Sequence, residues 1–229
     1  MSAPISAERA TARSRGPGPV TGPGTRCPGH RISPRGIVDL RGDAGRDVLL
    51  AYPRGAAVVV AGLPGSGKST LLRAWSGAAA VIDPRATRTA FASRMPGWLP
   101  YAAYRPWARL WHMAGTRSAM RRGGPLLVHD CGSRPWMRRW LVRTARRAGR
   151  PLHLVVLDVG PREALSGQLA RRRVASRRVF GVHRRGLARF LSRLARDGAA
   201  AAPGIDSVVL LDRGQRDRVT AVRFGRPPG

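Results

Sequence analysis

Between residues 56 and 75 an apolar run, a glycine-rich turn and a helix-forming run follow one another without a break. Ala56-Ala57-Val58-Val59-Val60-Ala61 shows no alternation. That predicts a strand buried on both faces, and so a parallel sheet covered by helices. The turn, Gly62-Leu63-Pro64-Gly65-Ser66-Gly67-Lys68-Ser69, fits G-x-x-x-x-G-K-[ST], the phosphate-binding P-loop. Thr70 to Trp75 then continues as a helix. In this setting glycines let backbone N–H groups curl around phosphate oxygens, and the helix directs its N-terminus at them. The expected nucleotide-binding set is Gly62, Gly65, Ser66, Gly67, Lys68, Ser69 and Thr70.

Of 42 basic side chains, Lys68 is the one lysine; the rest are arginines. The loop has a physical reason for the exception. A compact ammonium on a flexible stem fits between the β- and γ-phosphates, where a planar guanidinium does not. Ser69 would offer its hydroxyl to Mg²⁺. ATP and Mg²⁺ are therefore the expected ligands.

At 229 residues the chain has room for one α/β domain and a tail. Residues 1–35, rich in Pro, Gly and Arg, lack the apolar side chains that ordering requires and are expected to be a disordered tail. Residues 36–229 are expected to form a single domain. No run of about 18 apolar residues occurs, so no membrane partner is expected. Cys27 and Cys131 are too few for a disulfide framework, and a cytoplasmic setting is expected. The net charge of +30 must attract nucleic acid without sequence preference at low salt. The near-total replacement of lysine by arginine points to compositional bias rather than a dedicated basic surface. The sequence leaves the oligomeric state open.

Five strand-like runs alternate with helical stretches: Ala56–Ala61, Ala78–Asp83, Pro125–Asp130, Leu152–Asp158 and Ser207–Asp212. This predicts a three-layer α/β sandwich on a five-stranded parallel sheet. The alternating stretch Asp217–Phe224 is expected to add a C-terminal edge strand. Four runs end in aspartate, although the chain has 12 acidic residues in all. Ligands of open α/β sheets bind at the carboxyl ends of the strands, although aspartate there also caps helices. A metal-binding aspartate should end a strand beside the P-loop strand. Asp130 is the first candidate and Asp158 its competitor.

The P-loop, Asp83, Asp130 followed by Arg134, and the arginines near 171–178 resemble the P-loop kinase branch that contains polynucleotide kinase and zeta-toxin-like proteins. The chain is also similar to "AAA-family ATPase" or "ATP-binding protein" sequences of Arg-rich actinobacteria. The resemblance implies a P-loop NTPase fold with a helical lid. It implies that Asp83 orients or deprotonates an acceptor hydroxyl, and that Arg88 holds an anionic group of the acceptor. Asp83-Pro84-Arg85 departs from the more acidic pattern of polynucleotide kinases. Arg171, Arg172, Arg173, Arg177 and Arg178 look like lid arginines that would stabilise charge on the moving phosphoryl group; a solvated basic helix face would read the same.

Leu165-Ser166-Gly167-Gln168 lacks one glycine of the transporter-ATPase signature and is followed by arginines, so that reading is rejected. Trp98, Tyr101, Tyr104, Trp107 and Trp111 recur at helical spacing, with Pro100 and Pro106 expected to interrupt the helix. They would either pack on the sheet or wall an acceptor site, where Arg105 and Arg109 would suit a base or a phosphorylated sugar. The expected function is Mg-ATP-dependent phosphoryl transfer to a small-molecule or nucleic-acid hydroxyl. The alternatives are an ATPase switch and a nucleic-acid 5′-end kinase.

Overall fold

The computed structural model describes residues 30–43, 47–130, 132–170 and 176–225. Along these the elements are β1 (His30–Ile32), β2 (Gly36–Asp39), β3 (Val48–Pro53), β4 (Ala57–Gly62), α1 (Lys68–Trp75), β5 (Ala80–Ile82), α2 (Pro84–Ala92), α3 (Tyr101–Arg122), β6 (Leu126–His129), α4 (Pro135–Arg147), β7 (Leu152–Leu157), α5 (Pro161–Leu169), α6 (Arg177–Asp197), β8 (Ser207–Leu211), α7 (Arg213–Arg218) and β9 (Val219–Gly225).

The five expected runs all enter one parallel sheet, in the order β2-β8-β7-β4-β6-β5. The sixth strand, β2, pairs with β8 at the edge, Gly36 opposite Ser207. Strand β4 lies between β6 and β7 and is buried at every position. Its alternate residues feed two cores, as the two-residue period of a strand requires. Ala57, Val59 and Ala61 pack with Met120 of α3, Leu141 of α4 and Phe190 of α6. Val58 and Val60 pack with Leu71 and Trp75 of α1 and with Leu50, Tyr52 and Val222.

The second face is thus covered partly by a separate three-stranded parallel sheet, β1-β3-β9. The C-terminal strand forms and is an edge strand, but of this small sheet. Trp75 fixes it there, its indole Nε1 donating to the Val219 carbonyl at 3.3 Å. Residues 30–32 of the segment expected to be tail form β1, paired with β3. Residues 1–29 lie outside the described residues.

Helix α3 also differs from expectation. Pro100 caps it, but Pro106 sits inside an unbroken helix. Pro106 lies in its second turn, where it forfeits one main-chain hydrogen bond without ending the helix. Among the described residues no helix is long and apolar enough to cross a membrane.

Candidate functional site

Because the six strands are parallel, Gly62 at the end of β4 and Asp83, Asp130, Asp158 and Asp212, which follow β5, β6, β7 and β8, all reach one edge of the sheet. The P-loop begins there. Gly62, Gly65 and Gly67 have φ of 146°, 92° and 96°, which a side chain would strain. A Cβ on Gly62 would lie 2.7 Å from the Leu157 carbonyl oxygen. The loop therefore needs glycine twice over, for its dihedrals and for its packing. Helix α1 starts after Gly67 with no side-chain cap, so its N-terminus can take an anion as its cap. Lys68 is buried, and its Nζ donates to the carbonyl oxygens of Gly62 and Leu63 at 2.8 Å each. Ser66 Oγ is buried without a hydrogen-bond partner among the described residues. A phosphate oxygen would satisfy it. Ser69 is half-buried and Thr70 is exposed at the start of the helix.

Two neighbours of this loop were not foreseen. The segment Ala164–Gln168 of α5 lies under it: Gln168 Nε2 donates to the Pro64 carbonyl at 3.1 Å, and a Cβ on Gly167 would come within 2.5 Å of the Gly65 carbonyl oxygen. The sequence that superficially matches a transporter signature thus packs against the P-loop. The other neighbour is Arg216 of α7, whose side chain lies over Gly67 and whose guanidinium donates to the Ser66 carbonyl at 3.4 Å.

Asp130 follows the strand hydrogen-bonded to β4, and its amide donates to the Val60 carbonyl at 3.1 Å. Its Oδ2 accepts the Gly132 amide at 2.9 Å. Asp158 ends the strand on the other side of β4, but it is ion-paired to Arg41 at 2.6 Å, and Arg41 is also paired to Asp39 at 2.6 Å. Asp212 caps α7 and accepts the Gly42 amide at 2.7 Å. Among the described residues Asp130, unlike Asp158, is in no ion pair. Among the described residues no group of three or more His, Cys, Asp and Glu side chains forms a metal cage. A magnesium ion carried by ATP needs none: it keeps several waters and takes one or two protein oxygens besides the phosphates. Ser69 and Asp130 fit that donor set.

Asp83 caps α2 by accepting the Arg85 amide at 2.9 Å, and the same oxygen lies 3.0 Å from His129 Nδ1. Burial raises its carboxyl, but these two hydrogen bonds outweigh burial and leave it below the ordinary carboxylate value. His112 of α3 shares the neighbourhood. Burial pushes its imidazole down, against the opposing charges of Asp130 and Asp83, and its Nδ1 lies 3.2 Å from the Thr87 hydroxyl. His183 of α6 is likewise pushed down by burial, then by Arg134 and Lys68, and its Nδ1 lies 2.5 Å from Ser133 Oγ. Both histidines are thus biased toward neutrality.

A cavity of about 380 Å³ opens from Asp130, between β6 and helices α2, α3, α4 and α6. Its wall includes Arg88, Arg105, Arg109, His112, Arg134 and His183. The inward face of α3 contributes Tyr101, Arg105, Ala108, Arg109, His112 and Thr116. The aromatic stripe does not pack on the sheet. Trp98, Trp107 and Trp111 are 81%, 64% and 44% exposed. Ala108, Thr116, Ala119 and Met120 are the buried positions of α3. Of the stripe only Tyr101 lines the cavity, while Tyr104 and Trp111 pack on Phe91 of α2 at 5.8 and 5.1 Å. Arg171, Arg172 and Arg173 lie outside the described residues; Arg177 and Arg178 open α6 and are exposed. His112 could have been found from sequence by following positions 101, 105, 108, 112 and 116, a single helical stripe.

A family model described as an AAA domain matches residues 58–196. No curated protein matches the chain. Among solved structures, a kinase candidate from Chloroflexus aurantiacus superposes with a TM-score of 0.51 at 12% identity, covering 72% of this chain and 88% of the other. A structure of the PezAT chromosomal toxin–antitoxin system of Streptococcus pneumoniae superposes with a TM-score of 0.52 at 15% identity, covering 76% of this chain and 72% of the other. At these identities the likeness concerns the fold.

Proposed function

The chain belongs to the AAA domain family, and from that premise we propose that it is an Mg-ATP-dependent, kinase-like phosphotransferase acting on a hydroxyl acceptor. Backbone amides of the loop from Gly62 to Ser69, with Thr70, hold the phosphates. Lys68 leaves the carbonyls of Gly62 and Leu63 to reach the β- and γ-phosphates. Ser69 and Asp130 would hold Mg²⁺, which would neutralise charge on the phosphates. Asp83 orients the acceptor hydroxyl and takes its proton. The hydroxyl oxygen bonds to the γ-phosphorus, the bond to the β-phosphate oxygen breaks, and ADP leaves. We also assign Arg171 and Arg173, which lie outside the described residues, to stabilising the charge that develops on the moving phosphoryl group.

The observation that carries this reading is the cavity beside Asp130. An ATPase switch needs a site for water only, whereas this protein has a walled space of about 380 Å³ at the phosphate end of the sheet, within the size range of small-molecule sites. The test is transfer of label from γ-labelled ATP to a panel of hydroxyl compounds, with wild type and Asp83→Asn side by side. Transfer by wild type and its loss in the variant, with ATP binding kept, is the expected result. Slow hydrolysis alone, unchanged by Asp83→Asn, would leave the ATPase switch in its place.

A second reading draws on the exposed Trp107 and Trp111, which lie on the helix that also walls the cavity. Stacking surfaces beside arginines suit single-stranded nucleic acid. A nucleic-acid 5′-end kinase would bind a 5′-hydroxyl oligonucleotide better than its 5′-phosphorylated twin at physiological salt. Equal binding is expected.

A further inference from the structure

Arg88, Arg105, Arg109 and Arg134 converge on the cavity that opens from Asp130. Among the described residues none of the four forms an ion pair. Most arginines share that state, since ion pairs between described residues take up only Arg41, Arg196, Arg213 and Arg216; what sets these four apart is that they line one cavity. Three of them, Arg105, Arg109 and Arg134, are close enough for their charges to oppose one another. Arg109 is held below its ordinary value by burial first, then by the charges of Arg134 and Arg105. Like charges gathered at the wall of a cavity favour an anion there.

Among the described residues that line the cavity Asp130 is the one carboxylate, at the phosphate end and proposed to hold Mg²⁺; Asp83, hydrogen-bonded to the lining His129, stands at the transfer end. His112 and His183 are kept toward neutrality by burial, so they neither add nor cancel charge. The balance of the acceptor end is therefore strongly positive. A carboxylate would compensate one guanidinium; a phosphate monoester carries close to two charges near neutral pH and three acceptor oxygens, and guanidinium forks bind it in pairs. Tyr101 adds an apolar face at the mouth, with the Arg88 guanidinium 5.4 Å from its ring centre.

We infer that the acceptor is a small alcohol that already carries a phosphate monoester, gripped through that phosphate by Arg88, Arg105 and Arg109, with Arg134 between it and the transfer site. The inference rests on the phosphotransferase reading. It makes the product a bisphosphate and places the protein after a reaction that phosphorylates the same carbon skeleton once.

The test measures binding without turnover. Phosphate monoesters of three- to six-carbon polyols and sugars are titrated by calorimetry against wild type, Arg109→Gln and Lys68→Ala, each beside its neutral parent and its carboxylate analogue. Arg109 is exposed as a residue, with only its guanidinium partly covered at the cavity wall, so its replacement should leave the fold intact, and circular dichroism checks this. At least one monoester should bind wild type about tenfold or more tighter than both its parent and its carboxylate analogue. Arg109→Gln should remove that margin, and Lys68→Ala should keep it. Loss in Lys68→Ala with retention in Arg109→Gln would put the phosphate in the P-loop and overturn the assignment. No monoester exceeding its parent, a carboxylate binding as well, or a 5′-hydroxyl oligonucleotide outcompeting every monoester would overturn it too. A separate titration with Mg-ATP decides the phosphotransferase reading by itself: its failure alongside the expected monoester pattern would remove the reaction and leave the anion site standing.

Discussion

His129 places its Nδ1 3.0 Å from Oδ1 of Asp83, joining the ends of neighbouring strands β6 and β5 at the edge where the P-loop opens. The contact gives Asp83 a partner as well as a capping duty. Its carboxyl lies below the ordinary value because hydrogen bonds from His129 and the Arg85 amide outweigh burial. A depressed carboxylate contributes stability above its unfolded value, about pH 3.9, and that contribution is lost as pH falls through the folded value. Asp83→Asn keeps a good helix cap. The variant should therefore melt below wild type at pH 6, with the gap narrowing between pH 5 and pH 3. Parallel melting curves across that range would contradict the hydrogen-bond account.

The same variant separates transfer from binding. If Asp83 serves the acceptor, Asp83→Asn should keep Mg-ATP affinity within about twofold and lose phosphoryl transfer by about 10²–10⁴, the usual worth of a general base. A variant that transfers at the wild-type rate removes Asp83 from the reaction.

Asp130 and Asp158 flank β4 on opposite sides, and their surroundings predict opposite outcomes. Asp158 is committed to Arg41 at a partly exposed ion pair, of a kind worth about 0–1 kcal/mol. Asp158→Asn should change Mg-ATP affinity little. Asp130→Asn should weaken it about tenfold or more and flatten its dependence on Mg²⁺ concentration. Titrations of both variants at several magnesium concentrations check this, and the reverse ranking would transfer the metal to Asp158.

Gly167 touches no expected ligand, yet it bears on the phosphate loop. A Cβ there would meet the Gly65 carbonyl oxygen at 2.5 Å, a backbone atom that cannot rotate away. Gly167→Ala should destabilise the protein by about 1–3 kcal/mol, the usual cost of overpacking, and should also weaken Mg-ATP binding by displacing the loop. Unchanged ATP affinity in a destabilised variant would show that α5 supports the sheet but not the loop's shape.

The parts of the site that the sequence disclosed are local. Strand, loop and helix around Lys68 are contiguous, and each glycine there answers a dihedral or a close approach that one motif encodes. The strand-end aspartates were legible because a parallel sheet carries them all to one edge. What stayed hidden depends on contacts distant in the chain. Alternation in β9 specified one buried face but not that β3 would pair with it. Gln168 and Arg216 reach the loop across more than a hundred residues. Helix α3 misled because tryptophan is a strong signal of burial, whereas its buried positions are Ala108, Thr116, Ala119 and Met120. Of these Ala119 and Met120 pack in the core and Ala108 and Thr116 line the cavity, and the large rings stay outside.

The central claim is that the loop around Lys68 binds Mg-ATP. Isothermal titration of Mg-ATP into wild type and Lys68→Ala, with circular dichroism to confirm that both are folded, tests it most directly. Charge-assisted hydrogen bonds are worth about 1.5–3 kcal/mol, so removing the ammonium should weaken binding about ten- to a hundredfold. Saturable binding by wild type and that loss in the folded variant is the predicted result. Equal affinity in the two proteins would contradict the account.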